Sequence, residues 1–119
     1  MPQPSVTGID RRHDDDGNLI EEADRVDGEL HGRRRIWSAA GTLIAEAHYV
    51  HGKLNGKCCL WYDDGMMLVF SYYVDDELHG LYKSYWDNGN LKESGVYIHG
   101  SPSEYQWFDD AGNLIEELI

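Results

Sequence analysis

Glycine recurs along this chain at a spacing of 24 residues. Gly17, Gly41, Gly65 and Gly89 stand that far apart, and Gly112 follows after 23. A fixed period of this length marks stacked supersecondary units, each relying on its neighbours for stability. With that glycine as column one, column three reads Leu19, Leu43, Met67, Leu91 and Leu114. Column nine reads Arg25, Tyr49, Tyr73 and Tyr97, and column ten Val26, Val50, Val74 and Ile98. Column twelve holds Gly28, Gly52, Asp76 and Gly100, and column fourteen Leu30, Leu54, Leu78 and Pro102. Column sixteen holds Gly32, Gly56, Gly80 and Glu104, and column twenty-one Trp37, Trp61 and Tyr85. Eleven of the 13 glycines fall in three columns, with Gly8 and Gly95 outside them.

Each unit contains two short apolar stretches separated by turn signals. Asp16-Gly17, Asp27-Gly28, Asp64-Gly65 and Asn88-Gly89 suit hairpin turns, where glycine takes positive φ without steric cost. Leu43, Ala45, Ala47 and Tyr49 alternate as one face of a strand does, and no segment carries a helical period. The expectation is all-β: an elongated antiparallel meander of about nine strands built from 24-residue β-hairpin repeats. Units start near 17, 41, 65, 89 and 112 in a single domain over residues 14–119, preceded by a flexible segment over 1–13. Column-sixteen glycines fall inside the second strand of each unit, where bare backbone can accept an aromatic ring from a neighbouring strand. In the fourth unit Pro102 and Glu104 replace Leu and Gly, which predicts a bent or differently paired strand.

These columns resemble the MORN-type repeat, and more closely its bacterial second variety. The pattern runs through Gly41-Thr42-Leu43, Tyr49, Gly52, Leu54, Gly56 and Trp61, and again from Asn88-Gly89-Asn90-Leu91 through Tyr97 to Gly100. A Glu-Leu-His-Gly signature occurs twice, at Glu29 to Gly32 and Glu77 to Gly80. The resemblance extends over residues 14 to 119. Small proteins made of such repeats are similar to the YwqK-type antitoxin family, which implies an immunity protein that neutralises a toxin. The same repeats serve elsewhere as adaptors, so a non-catalytic scaffold module is the alternative.

Charge narrows the partner. The chain has 22 Asp plus Glu against 10 Lys plus Arg, a formal net charge of −12. Residues 1–35 hold six basic and nine acidic side chains, and the rest hold four and 13. Direct binding to nucleic acid or an anionic membrane rewards the opposite sign. With 41% hydrophobic residues the chain is not acidic disorder, and no apolar run approaches the roughly 20 residues that span a bilayer. The first ten residues lack the pattern of a signal peptide. Adjacent Cys58 and Cys59 point to opposite faces of a strand, so a disulfide framework is not expected and a reducing cytoplasm is.

No residue set announces catalysis, a metal or a cofactor. His31 and His79 share a column, as do His51 and His99, but two units separate the members of each pair. That separation is about 20 Å, too far for one ion. Asp14-Asp15-Asp16-Gly17 fails as a calcium loop, because the required spacing puts Arg12 first and Ala23 last. Asp63-Asp64, Asp75-Asp76 and Asp109-Asp110 sit at turns, where Asp is favoured for local hydrogen bonds. No serine lies in a nucleophile elbow, and the glycines do not cluster before a helix as a phosphate loop requires.

A protein-binding patch is the remaining candidate. Phe70, Tyr72, Tyr82 and Trp86 break the columns, their second-unit equivalents being Glu46, His48, Cys58 and Tyr62. Aromatic anchors rimmed by charge suit an interface, and Asp63, Asp64, Asp75, Asp76, Glu77 and Asp87 supply the rim. The expected partner is a cognate protein toxin, basic and nucleic-acid-targeting, blocked by a monomer or weak homodimer that contacts neither nucleic acid nor membrane.

Overall fold

The computed structural model describes residues 6–118 as ten antiparallel strands in one sheet. In chain order they are β1 (Thr7–His13), β2 (Leu19–Val26), β3 (Glu29–Trp37), β4 (Leu43–Val50) and β5 (Lys53–Trp61). There follow β6 (Met67–Val74), β7 (Glu77–Tyr85), β8 (Leu91–Ile98), β9 (Ser101–Phe108) and β10 (Leu114–Leu118). Spatial order equals sequence order, so the meander expected from the glycine columns is the observed architecture.

Two turn designs alternate. Asp27-Gly28, His51-Gly52, Asp75-Asp76 and His99-Gly100 each join their strands with two residues, all at positive φ between 47° and 84°. That is the type I′ geometry, whose twist matches the strands it joins. The other turns span five residues, as at 38–42, where Gly41 N–H donates to Ser38 O and Ser38 N–H to Thr42 O. Column-one glycines close these loops at φ between 85° and 94°. The I′ turns therefore lie along one long edge of the ribbon and the five-residue turns along the other.

The sheet measures 57 × 40 × 13 Å, the thickness of a single layer. Both faces meet solvent, and its accessible surface is 7622 Å², against about 6,600 Å² for a compact protein of this length. Only Ala23, Cys59, Ser71, Ser84 and Gly95 are buried among the described residues. Cohesion comes instead from strand ladders and from stitches between units. Gly52, Asp76 and Gly100 donate their N–H groups to Leu30, Leu54 and Leu78 O of the preceding unit, at 2.8 to 2.9 Å.

Three expectations need correction. Residues 7–13 form β1, fully paired with β2, in place of a flexible segment, so the strands number ten. Arg11 and Arg12 hold it there against Glu22 (3.0 Å) and Glu21 (3.6 Å). Residues 1–5 of that segment lie outside the described residues. Gly8 also belongs to column sixteen after all, standing 24 residues before Gly32.

The glycine role is partly different as well. A Cβ at Gly56 would touch the Cβ and ring of His48, and one at Gly80 those of Tyr72, but at Gly32 it would strike Asp24. What the three share is φ between 112° and 118° at a bulge, where three residues of one strand face one of the other. In the fourth unit, lacking that glycine, the register shifts by one residue instead of two, with Val96 opposite Glu104 and Tyr97 opposite Pro102.

Candidate functional site

Cross-strand partners share a face, which settles where the candidate residues stand. Ser71 is opposite Cys58 and Tyr82, whereas Phe70 is opposite Cys59 and Lys83. Tyr82 therefore lies on one face and Phe70 and Tyr72 on the other. On the Tyr82 face, small residues Ala23, Ala47, Ser71 and Gly95 form a file, with Arg34, Cys58 and Tyr82 between them. Tyr82 meets Tyr97 edge to face at 5.7 Å. Glu93 accepts from Tyr105 Oη (2.7 Å) and Ser84 Oγ (2.8 Å). Burial raises the Tyr82 and Tyr97 phenols, and burial followed by the Glu93 carboxylate raises Tyr105 strongly. Arg34 is held more firmly protonated, first by its hydrogen bond to Glu21 and then by Tyr49.

The opposite face carries the other two aromatic candidates. Phe70 and Tyr72 pack edge to face at 5.3 Å, and Tyr72 remains 39% exposed. A recess of about 430 Å³ is open nearby, lined by Leu81, Lys83, Val96, Glu104 and Gln106 among others. Leu81 is itself 40% exposed.

The remaining six carboxylates and Trp86 belong to the two long edges, so the ten candidates do not form one patch. Asp75, Asp76 and Glu77 occupy the I′ edge, where Asp76 Oδ1 accepts the Leu54 N–H at 2.7 Å. Asp63, Asp64 and Asp87 occupy the five-residue-turn edge, with Asp64 accepting from Met66 N–H. Trp86 fastens neighbouring loops together. Its indole Nε1–H donates to Phe108 O at 3.1 Å, with Lys92 Nζ 4.5 Å from its ring centroid. Tyr62 does the same a unit earlier, donating to Tyr85 O at 2.7 Å.

That second edge is the most acidic part of the molecule. Its loops at 14–18, 38–42, 62–66, 86–90 and 109–113 carry eight Asp residues and no Lys or Arg. Asp14 and Asp109 begin the first and last, where backbone N–H donors from Asn18 and Asn113 hold their carboxyl groups below the usual range.

The histidines pair across columns, an arrangement that comparison within columns missed. His31 and His51 have ring centroids 5.0 Å apart, and His79 and His99 4.7 Å. In each pair the second residue's backbone N–H donates to Nδ1 of the first at 3.1 Å. The first imidazole thus presents a bare Nδ1 and caps the neighbouring turn. Among the described residues no three His, Cys, Asp or Glu side chains converge to hold a metal. Cys58 and Cys59 are free thiols, both pushed up chiefly by burial.

Comparison with known proteins agrees with this geometry. Residues 30–51 and 78–99 match the family model described as MORN repeat variant. Each match starts one residue before a histidine of a pair and ends on its partner, running from the second half of one unit into the first half of the next. No curated protein matches the chain. Among solved structures it is similar to one titled "Crystal Structure of TarM", with 15% identity and a TM-score of 0.44. That likeness covers 76% of this chain and 18% of that one. The molecule is an all-β repeat sheet, open on both faces, in which two segments match the MORN repeat variant.

Proposed function

We propose that this chain is an immunity protein that binds a cognate toxin stoichiometrically in the cytoplasm and performs no chemistry itself. One observation carries the reading: the file of aspartates along the five-residue-turn edge, unrelieved by any Lys or Arg within those loops. Such an edge attracts a basic groove and speeds encounter with it. A toxin acting on nucleic acid needs that groove, so the acidic edge acts as a rival to its substrate. The resemblance to the YwqK-type antitoxins supports the same reading. Phe70 and Tyr72, beside the recess at Leu81, supply apolar contact on the adjoining face.

The test is co-purification with the product of the adjacent gene, and rescue of cells that express it. Failure of both refutes the proposal. Asp63→Lys with Asp64→Lys and Asp87→Lys is expected to slow association and flatten its salt dependence. Asp75→Lys with Glu77→Lys, on the opposite edge, serves as the comparison. Equal effects from both edges would show that this edge is not the contact. The alternative, a non-catalytic adaptor, rests on the exposed Phe70–Tyr72 face and predicts a partner whose binding ignores salt.

A further inference from the structure

The two end strands of the sheet have outer edges that no strand covers among the described residues, and they are complementary in sequence. Gly112-Asn113-Leu114-Ile115-Glu116-Glu117 repeats Gly17-Asn18-Leu19-Ile20-Glu21-Glu22 residue for residue. The loop before each is built alike, since Asp14 caps Asn18 N–H at 2.9 Å and Asp109 caps Asn113 N–H at 2.8 Å. β10 is therefore a second edition of β2. In the interior of the sheet, β2 is flanked by β1 on one side and β3 on the other. β10 has β9 in the place of β1 and, among the described residues, nothing in the place of β3.

What β2 gains from β3 is specific. Glu22 stands opposite Arg35, Ala23 opposite Arg34, and Glu21 opposite Ile36, with Arg34 Nη2 reaching Glu21 at 3.1 Å. β1 is the equivalent of β3. Gly8 stands opposite Arg25 as Gly32 stands opposite Tyr49, and His13 opposite Leu19 as Trp37 stands opposite Leu43. The edge that β1 leaves open is thus the edge that β3 presents to β2.

We propose that copies of this chain assemble head to tail, the outer edge of β10 in one copy pairing antiparallel with the outer edge of β1 in the next. Carrying the β2–β3 register onto this pair sets Glu116 opposite Arg12, Glu117 opposite Arg11 and Leu118 opposite Asp10 of the second copy. Arg11 and Arg12 are 53% and 69% exposed in their side chains, with donors to spare beyond Glu22 and Glu21. Ile115 and Leu118, 54% and 50% exposed, gain cover from the added strand. The symmetric alternatives are selected against by charge. β10 against β10 confronts Glu116 and Glu117 with themselves, and β1 against β1 confronts the arginines; like charges across strands destabilise. A head-to-tail contact is heterologous and grows into open arrays, or rings where the rotation closes.

Sedimentation velocity of the whole chain from micromolar to millimolar concentration, at low and high salt, tests this. The expected result is a weight-average mass that climbs past the dimer with concentration and falls with salt. Glu116→Lys with Glu117→Lys is expected to weaken association roughly tenfold or more, as two opposed pairs turn repulsive. Mixing that variant with Arg11→Glu/Arg12→Glu protein restores it. Because the arginine changes could loosen β1, disulfide capture gives an independent readout. Protein carrying Asp10→Cys mixed with protein carrying Leu118→Cys should yield a 10–118 crosslink by mass spectrometry. A mass that stays monomeric throughout overturns the proposal. So does assembly indifferent to the Glu116 and Glu117 changes, or a 118–118 crosslink in place of 10–118.

Discussion

Four glycines of one column give a graded experiment on what holds this ribbon in register. Gly8, Gly32, Gly56 and Gly80 stand 24 residues apart, yet alanine at each meets a different environment. At Gly8 the backbone is not left-handed and nothing lies within 4 Å of a new Cβ. Gly8→Ala is expected to be neutral or to stabilise by about 0.5 kcal/mol, through a less free unfolded chain. At Gly56, φ of +112° is a conformation that L residues rarely adopt, whereas the 3.4 Å approach to His48 Cβ is ordinary contact. Backbone strain then sets the cost, about 1–3 kcal/mol. Gly80→Ala should match it, since φ is +116° and Tyr72 Cβ again lies at 3.4 Å. Gly32→Ala should cost more, because the new Cβ falls 2.7 Å from Asp24 Oδ2 and 2.9 Å from Asp24 Cβ. Moving Asp24 also breaks its hydrogen bond from Arg33 N–H (3.0 Å), worth about 1 kcal/mol more. Thermal unfolding followed by circular dichroism reads the series, with the Gly56 and Gly80 variants about 4–12 °C below the parent. Equal midpoints for Gly8→Ala and Gly56→Ala would refute the assignment of positive φ as the reason for this column.

The two cysteine thiols should be slow reagents. With both raised by burial, Cys58 and Cys59 are expected to alkylate far more slowly at neutral pH in native protein than in urea, which mass spectrometry of timed samples would show. Acid should weaken the first and last loops. Asp14 and Asp109 are lowered in the folded state, so their contribution is complete above the ordinary value of 3.8 and is lost as pH falls through the lower folded one. Asp109→Asn, which cannot titrate, should therefore narrow its stability gap to the parent as pH drops below about 4 in urea titrations. Trp86→Phe removes the donor to Phe108 O and is expected to cost about 1 kcal/mol, with faster hydrogen exchange around 108–113 than around 14–18.

The hairpins were legible because their turns need particular residues at fixed intervals, and a glycine or aspartate at positive φ leaves a mark in one sequence. β1 was not, since its register with the ruler rests on Gly8 alone while Thr7 and Ile9 stand where His31 and Arg33 would be expected. The histidine pairs escaped notice for a geometric reason. Repeat columns compare equivalent places, whereas contact between units joins column fifteen of one to column eleven of the next. His31 and His51 are 20 residues apart, a separation that becomes meaningful only once the I′ turn is seen to dock on the preceding unit. The scattered aromatic patch has a plainer cause. Period-two alternation already places Phe70 and Tyr72 opposite to the face of Ser71, and Tyr82 is Ser71's own cross-strand partner. Gathering the carboxylates by nearness in sequence overlooked that successive turns point to opposite edges.

A sheet one layer thick, only 13 Å through, also dictates how the molecule answers temperature and denaturant. The heat capacity released on unfolding, and the denaturant slope, both scale with the surface newly wetted. Here much of that surface is wet already. The stability curve should accordingly be shallow and broad, with little tendency to cold unfolding, and the urea slope smaller than chain length alone would suggest. A ribbon of this kind changes its free energy slowly across conditions that would carry a thick-cored protein through its maximum and down the other side.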